Sequence, residues 1–138
     1  DQALPPITRV ECAIELLGSL PERMRPHQTL FAATGGIHAA GLFTLDGKLL
    51  SLREDIGRHN AVDKVIGRAV LDGAESLADR ILVVSGRAGF ELVQKALKAA
   101  IPVMVSVGAA SSLAVDMATA AGMTLYSFVG TERGNLHV

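Results

Sequence analysis

The segment from Ile81 to Val129 most constrains the fold, because it alternates short apolar runs with helical patterns. ILVVS, PVMVSV and TLYSFV are each almost continuously apolar. Between the first two, Phe90, Val93, Leu97 and Ala100 recur at helical spacing. Between the second and third, a helix is predicted from Ser112 to Ala121, closed by Gly122. A strand that is apolar on both sides belongs in a sheet covered on both faces. Helical crossovers between such strands make them parallel neighbours.

Upstream, Val10, Ala13, Ile14 and Leu17 share one helical face, which predicts a helix over residues 9–20 stopped by the Pro21–Pro26 stretch. This places Cys12 mid-helix, near the apolar face. The turn Thr34-Gly35-Gly36 leads into an apolar run from Ile37 to Thr44. Asp46-Gly47, between LFTL and LLSL, predicts an antiparallel hairpin. A helix then opens at Gly57, with Val62, Val65, Ile66, Ala69 and Val70 on one face. The order α-β-β-α-β-α-β-α-β describes one α/β domain over residues 1–138, a three-layer α-β-α sandwich with a mixed sheet.

Composition narrows the function. Hydrophobic residues make up 49% of the 138, which excludes a disordered tail. A net charge of -1 argues against a nucleic-acid binder working by bulk charge. One cysteine excludes an intrachain disulfide and a multi-cysteine zinc site. The longest uncharged run, Ala99 to Val115, is interrupted by Pro102 and Gly108 and falls short of the roughly 18–20 apolar residues that span a bilayer. No membrane partner is expected. The opening DQALPPITRV has no initiator Met and no basic leader, so the chain is expected to start partway through a longer polypeptide.

The order of elements is also that of the cytidine-deaminase-like sandwich, so zinc deamination is tested first. That chemistry needs H-x-E or C-x-E at one helix start and P-C-x-x-C at the next. Here the first reads His59-Asn60-Ala61 and the second Ser85-Gly86-Arg87-Ala88-Gly89. The metal ligands are missing, and no zinc is expected.

Polar clusters fall where strands give way to helices, the edge at which open α/β sheets bind ligands. Thr34, Gly35, Gly36 and His38 form the first. The second runs from Arg53 to Lys64 and holds Glu54, Asp55, Gly57, Arg58, His59 and Asn60; a helix start flanked by Arg58, His59 and Asn60 suits an anion. Glu54 and Asp55 are expected to hold those cationic side chains or to bind a sugar hydroxyl. The third, Ser85, Gly86 and Arg87, lacks both the P-loop and the dinucleotide fingerprints. Phosphate contact through Gly86 and Arg87 is the expectation there. A hydrolase built on His38 or His59 is disfavoured, because no Ser or Cys sits in an activating motif.

The strings TGGIHAAGLF, GKLLSLREDIGRHNAVDKVIGRA and VVSGRAGFELVQKALKAAIPV together resemble the formate dehydrogenase accessory sulfurtransferase family, FdhD/NarQ. The resemblance extends from about Phe31 to the C-terminus. It implies a cytoplasmic homodimer with a zinc-free, cytidine-deaminase-like domain. It further implies that sulfur passes from a cysteine desulfurase to the molybdenum cofactor, as bis-molybdopterin guanine dinucleotide, for use by formate dehydrogenase. GDP or GMP would stand in for that cofactor. The family's cofactor-binding stretch aligns with Phe128, Val129, Gly130, Thr131, Glu132 and Arg133, with Gly130 at a position usually basic. Its sulfur-carrying C-x-x-C pair is absent from this sequence, and Cys12 does not match it. The persulfide-forming cysteine is therefore expected upstream, leaving no catalytic residue in this chain. The alternative is a module that only holds the cofactor or a guanine nucleotide for a partner.

Overall fold

The computed structural model describes residues 4–128 and 134–138. The chain begins with a strap that leads into helix α1, Ile14–Met24, followed by a 3-10 turn over Arg25–His27 and helix α2, Thr29–Thr34. Strands β1, His38–Thr44, and β2, Leu49–Asp55, form the hairpin. Helix α3 covers Arg58–Leu71 and β3 Arg80–Val84. Then come α4 (Phe90–Lys98), β4 (Val103–Ser106), α5 (Ser112–Ala121), β5 (Thr124–Phe128) and β6 (Gly134–His137).

The six strands make one sheet in the order β2-β1-β3-β4-β5-β6. Strands β3, β4 and β5 are parallel, as continuous apolar runs joined by helices require. Strand β1 is antiparallel to both β2 and β3. Side chains alternate across the sheet, and both faces are covered. Leu82, Val84, Met104 and Leu125 pack beneath α3, α4 and α5. Ile81, Val83, Val103, Val105 and Tyr126 pack with Leu17, Leu20 and Met24 of α1 on the other face. The architecture is the expected three-layer sandwich.

Three local expectations need correction. The first helix starts at Ile14, not Arg9, so Cys12 lies in the strap before it and is only partly buried. The same helix runs through Pro21 to Met24 instead of stopping there. A proline inside a helix removes a hydrogen bond, yet Leu17, Leu20, Pro21 and Met24 are all buried, and burying that stripe outweighs the missing bond. Two elements were not anticipated: α2, and β6, which pairs antiparallel with β5. The hairpin forms as expected, with Gly47 at φ +92°, a left-handed conformation that glycine adopts without strain.

Candidate ligand site at the carboxyl edge of the sheet

Because β2 runs parallel to β3, the ends of β2, β3, β4 and β5 and the start of β1 all lie on one edge. His38 pairs with Asp55 in register, and Ser85 continues β3 past Ala39. Ser85 Oγ accepts a 2.8 Å hydrogen bond from the Ala39 N–H, locking the two strand ends together. Gly86 lies against His38 and Arg58: a Cβ there would sit 3.1 Å from His38 Nδ1 and 3.9 Å from Arg58 Cδ. The three clusters, far apart in sequence, therefore meet. Gly108 packs on the next loop, where a Cβ would come within 3.0 Å of the Arg87 backbone nitrogen.

The turn Thr34-Gly35-Gly36 is the end of α2. Gly35 is left-handed at φ +76° and returns its N–H to the Phe31 carbonyl at 2.7 Å. What holds α2 in place is Glu54. Its two carboxylate oxygens accept the N–H groups of Leu30, at 3.0 Å, and Phe31, at 2.9 Å. Glu54 thus grips neither Arg58 nor His59, contrary to the sequence expectation, because the free N–H groups of α2 are nearer partners.

Asp55 does hold a cation, but it is Lys64, the seventh residue of α3, at 2.5 Å. Asp55 Oδ1 also accepts the Gly57 N–H at 2.9 Å and Asn60 Nδ2 at 3.4 Å. Lys64 first, then the Gly57 N–H and Asn60, hold its carboxyl down at about 2. Asp55 shapes the Gly57 turn so that Arg58 and His59 open α3 at the sheet edge.

The cations there are differently placed. Arg87 is exposed, while Arg58 is half-buried with its Nε shielded from water and lacking a hydrogen-bond partner among the described residues. A buried donor without a partner is costly, and it marks where an anionic or carbonyl-bearing ligand would be stabilised. Beside it opens a cavity of about 500 Å³ lined by Arg58, His59, Gly89, Phe90, Glu91 and Leu113. Phe90 and Glu91 open α4 directly after the polar loop that follows β3. Leu113 gave no sequence signal, since an apolar residue in an apolar helix reads as core.

Phe128 ends β5 and stacks edge-on against Tyr126, with ring centroids 5.4 Å apart. Val129, Gly130, Thr131, Glu132 and Arg133 lie outside the described residues. Among the described residues, no group of three or more His, Cys, Asp and Glu is arranged to hold a metal, and no helix is long and apolar enough to cross a membrane. Cys12 sits at the opposite edge, lining a cavity of about 240 Å³ with Thr124, Leu136 and Val138. Burial pushes its thiol up, away from the thiolate.

A mixed sheet sandwiched by helices, with glycine turns and the arginines Arg58 and Arg87 gathered at its carboxyl edge, is an α/β three-layer sandwich domain. The model of the FdhD/NarQ family matches residues 1–137, and the chain belongs to that family. It is 54% identical over 132 residues to a "Sulfur carrier protein FdhD" of Nocardia farcinica, covering 96% of this chain and 47% of that protein. It is 56% identical over 130 residues to the protein of the same name from Corynebacterium efficiens, covering 94% and 46%. The chain therefore spans about half the length of the curated relatives it matches. Among solved structures, a putative formate dehydrogenase accessory protein from Desulfotalea psychrophila superposes with a TM-score of 0.83 at 30% identity, over 97% of this chain and 57% of that one. A guanine deaminase from Nitrosomonas europaea superposes at 0.58 with 20% identity, over 86% of this chain and 79% of that one, a likeness of fold alone. The deaminase-like sandwich read from the order of elements is thus the fold this chain has.

Proposed function

We propose that this chain is the substrate-holding part of a cytoplasmic sulfur carrier that supplies sulfur to the molybdenum cofactor, as bis-molybdopterin guanine dinucleotide, for formate dehydrogenase. Membership of the family and the names of the relatives support the sulfur-carrying role. The observation that carries the ligand assignment is the meeting of Gly86, His38 and Arg58 at the sheet edge, with a buried arginine nitrogen left without a partner. Glycine turns let a phosphate approach the backbone, and arginine donates to it from a fixed planar fork. GDP carries the guanine and the diphosphate of the dinucleotide, GMP its guanine and one phosphate, and either would stand in for it.

Sulfur arrives at such a carrier as a persulfide. A carrier thiolate attacks the outer sulfur of a cysteine persulfide on the desulfurase, and the desulfurase leaves as a thiolate. That attack needs a thiolate in an electropositive, accessible place. Burial holds the Cys12 thiol away from the thiolate, so on this reading the carrier thiol belongs to a part of the protein beyond these 138 residues. The cysteine desulfurase, the formate dehydrogenase and a second copy of the carrier are its partners.

Calorimetric titration of GDP into the protein and into Arg58→Ala tests the ligand assignment. Removing a charge-assisted donor should weaken GDP by about tenfold or more. Equal affinity for both proteins overturns it.

A further inference from the structure

We infer that Gly108 is a positioning residue for anion binding: it seats the stem of Arg87, so that this exposed arginine is held ready before the ligand arrives. The inference deepens the reading above and rests on it for the identity of the anion.

The loops after β3 and β4 are joined into one platform. The parallel pairing of the two strands continues past their ends through a bridge between Ala88 and Ala110. The Gly108 N–H donates to the Gly86 carbonyl at 2.9 Å, the Ala88 N–H to the Ala109 carbonyl at 3.1 Å, and the Ser111 N–H to the Ala88 carbonyl at 3.0 Å. From beneath, the fully buried Ser106 donates its hydroxyl to the Gly108 carbonyl at 2.8 Å. Gly108 is thereby fixed at both its N–H and its carbonyl.

Arg87 is the one lysine or arginine in these two loops, and it is exposed. An exposed arginine samples many rotamers, and a ligand that fixes it loses that entropy from its binding. Here the space over Gly108 is taken by Arg87 itself. A Cβ at position 108 would lie 3.0 Å from both Cα and Cγ of Arg87, closer than the ~3.5–4.0 Å at which carbon atoms pack. The glycine is not required by its backbone angle, because the positive-φ glycines are Gly35, Gly47, Gly73 and Gly122. What it supplies is a bare surface for the aliphatic stem of the arginine. The loop that carries Arg87 also carries Gly86, which lies against His38 and Arg58. A seated Arg87 therefore adds a second guanidinium to the edge where Arg58 already stands.

A glycine that served only to let the loops pack would weaken binding in any background when replaced. One that seats the arginine acts only while the arginine is present. The test is a double-mutant cycle, with GDP and inorganic pyrophosphate titrated into the protein, Arg87→Ala, Gly108→Ala and the double variant. Arg87→Ala should weaken both anions by about tenfold, as loss of a charge-assisted donor does. Gly108→Ala should weaken them about three- to fivefold in the protein, through added rotamer freedom at Arg87, and hardly at all in Arg87→Ala. A loss of equal size in both backgrounds overturns the inference, as does unchanged affinity in Arg87→Ala. Nitrogen-15 relaxation at the Arg87 Nε–H of the unliganded protein gives a second reading that needs no variant. A seated stem should hold an order parameter above about 0.6 there. A lower value overturns the inference, even if Gly108→Ala does not fold. GDP binding that depends on Arg58 but not on Arg87 overturns this inference and leaves the reading above standing. Pyrophosphate binding that depends on Arg87 and Gly108, with no binding of GDP, does the reverse for its guanine-nucleotide part. If neither anion binds, both fall.

Discussion

Replacing Glu54 by Ala should release α2, and with it the Thr34-Gly35-Gly36 turn. Six residues do not hold a helix by themselves, since isolated helices shorter than about 12–15 residues are marginal in water. The Glu54 carboxylate supplies what α2 lacks, two hydrogen bonds at 3.0 and 2.9 Å to the N–H groups of Leu30 and Phe31. A hydrogen bond to an ionised acceptor contributes ~1.5–3 kcal/mol when shielded. The bond to Leu30 is exposed and that to Phe31 only part-buried, so ~1 kcal/mol each is the better figure, ~2 kcal/mol for the pair. That corresponds to about a 30-fold rise in local opening. Amide hydrogen exchange followed by NMR reads it directly: Leu30 and Phe31 should exchange about 30-fold faster in Glu54→Ala. Glu54→Gln keeps a neutral acceptor and should fall between the two. If α2 positions the turn for a ligand, GDP affinity should fall in the same order. Unchanged exchange at both amides in Glu54→Ala would refute the reasoning, whatever happened to binding.

Asp55, whose carboxyl is lowered from 3.8 to about 2, contributes stability that is present above pH 4 and lost as pH falls through about 2. Urea midpoints of the protein and Asp55→Asn should therefore differ at pH 5 and converge near pH 2; a gap that stays constant over this range contradicts the assignment. Ala100 holds φ +61°, a left-handed backbone that costs a residue with a Cβ ~1–2 kcal/mol. Ala100→Gly removes that strain against ~0.5–1 kcal/mol of added chain entropy, so thermal unfolding should show an unchanged or higher Tm, and a fall of several degrees would count against it. Cys12→Ala should cost on the order of 1 kcal/mol in urea unfolding and leave GDP affinity unchanged. Incubated with a cysteine desulfurase and cysteine, the chain should gain no adduct of about 32 Da on Cys12 by mass spectrometry, and a stable transferable one would relocate the sulfur path.

The central architecture was legible because its signals are local and redundant. Leu82 and Val84 face one helix layer, and Ile81 and Val83 face the other, so the run had to be apolar throughout. Asp46-Gly47 announced the hairpin for the same reason: a tight turn with a left-handed glycine has few alternatives, and the loop closes with the Thr44 N–H donating to the Lys48 carbonyl. The misses share a long-range cause. Pro21 is a stop signal in isolation, and only the buried stripe of Leu17, Leu20 and Met24 carries the helix past it. Helix α2 has no periodicity to read and depends on a carboxylate 23 and 24 residues away. At the site, polar runs at strand ends marked the right edge. They could not show that Glu54 is occupied by α2 and Asp55 by Lys64, which leaves Arg58 without a carboxylate among the described residues. Phe90 sat in the apolar pattern of α4 and read as core, yet it borders the cavity.

The polarity of the sheet bears on how sulfur transfer would be divided within a carrier of this kind. The residues gathered at the carboxyl edge, His38, Arg58 and Gly86, lie on the same edge of the sheet as the end of β5, since Val84, Ser106 and Ser127 are in register across β3, β4 and β5. Cys12 lies at the other end, against Thr124, the first residue of β5. Five residues of strand separate the two edges by about 13 Å at ~3.3 Å per residue. A persulfide extends a cysteine by one S–S bond of about 2 Å, so Cys12 could not reach a ligand at the carboxyl edge while the sheet is intact. The strap that carries Cys12 is also tied down, with the Thr124 hydroxyl donating to the Val10 carbonyl at 3.5 Å and Leu4 and Ile7 packed on the core beneath α5. A thiol that must alternate between a desulfurase and a bound cofactor needs mobility and a ready thiolate; the anchored strap withholds the first from Cys12 and its burial opposes the second. On the proposed function, the residues at the carboxyl edge of this domain would take the other half of the task, holding the acceptor still while sulfur is brought to it.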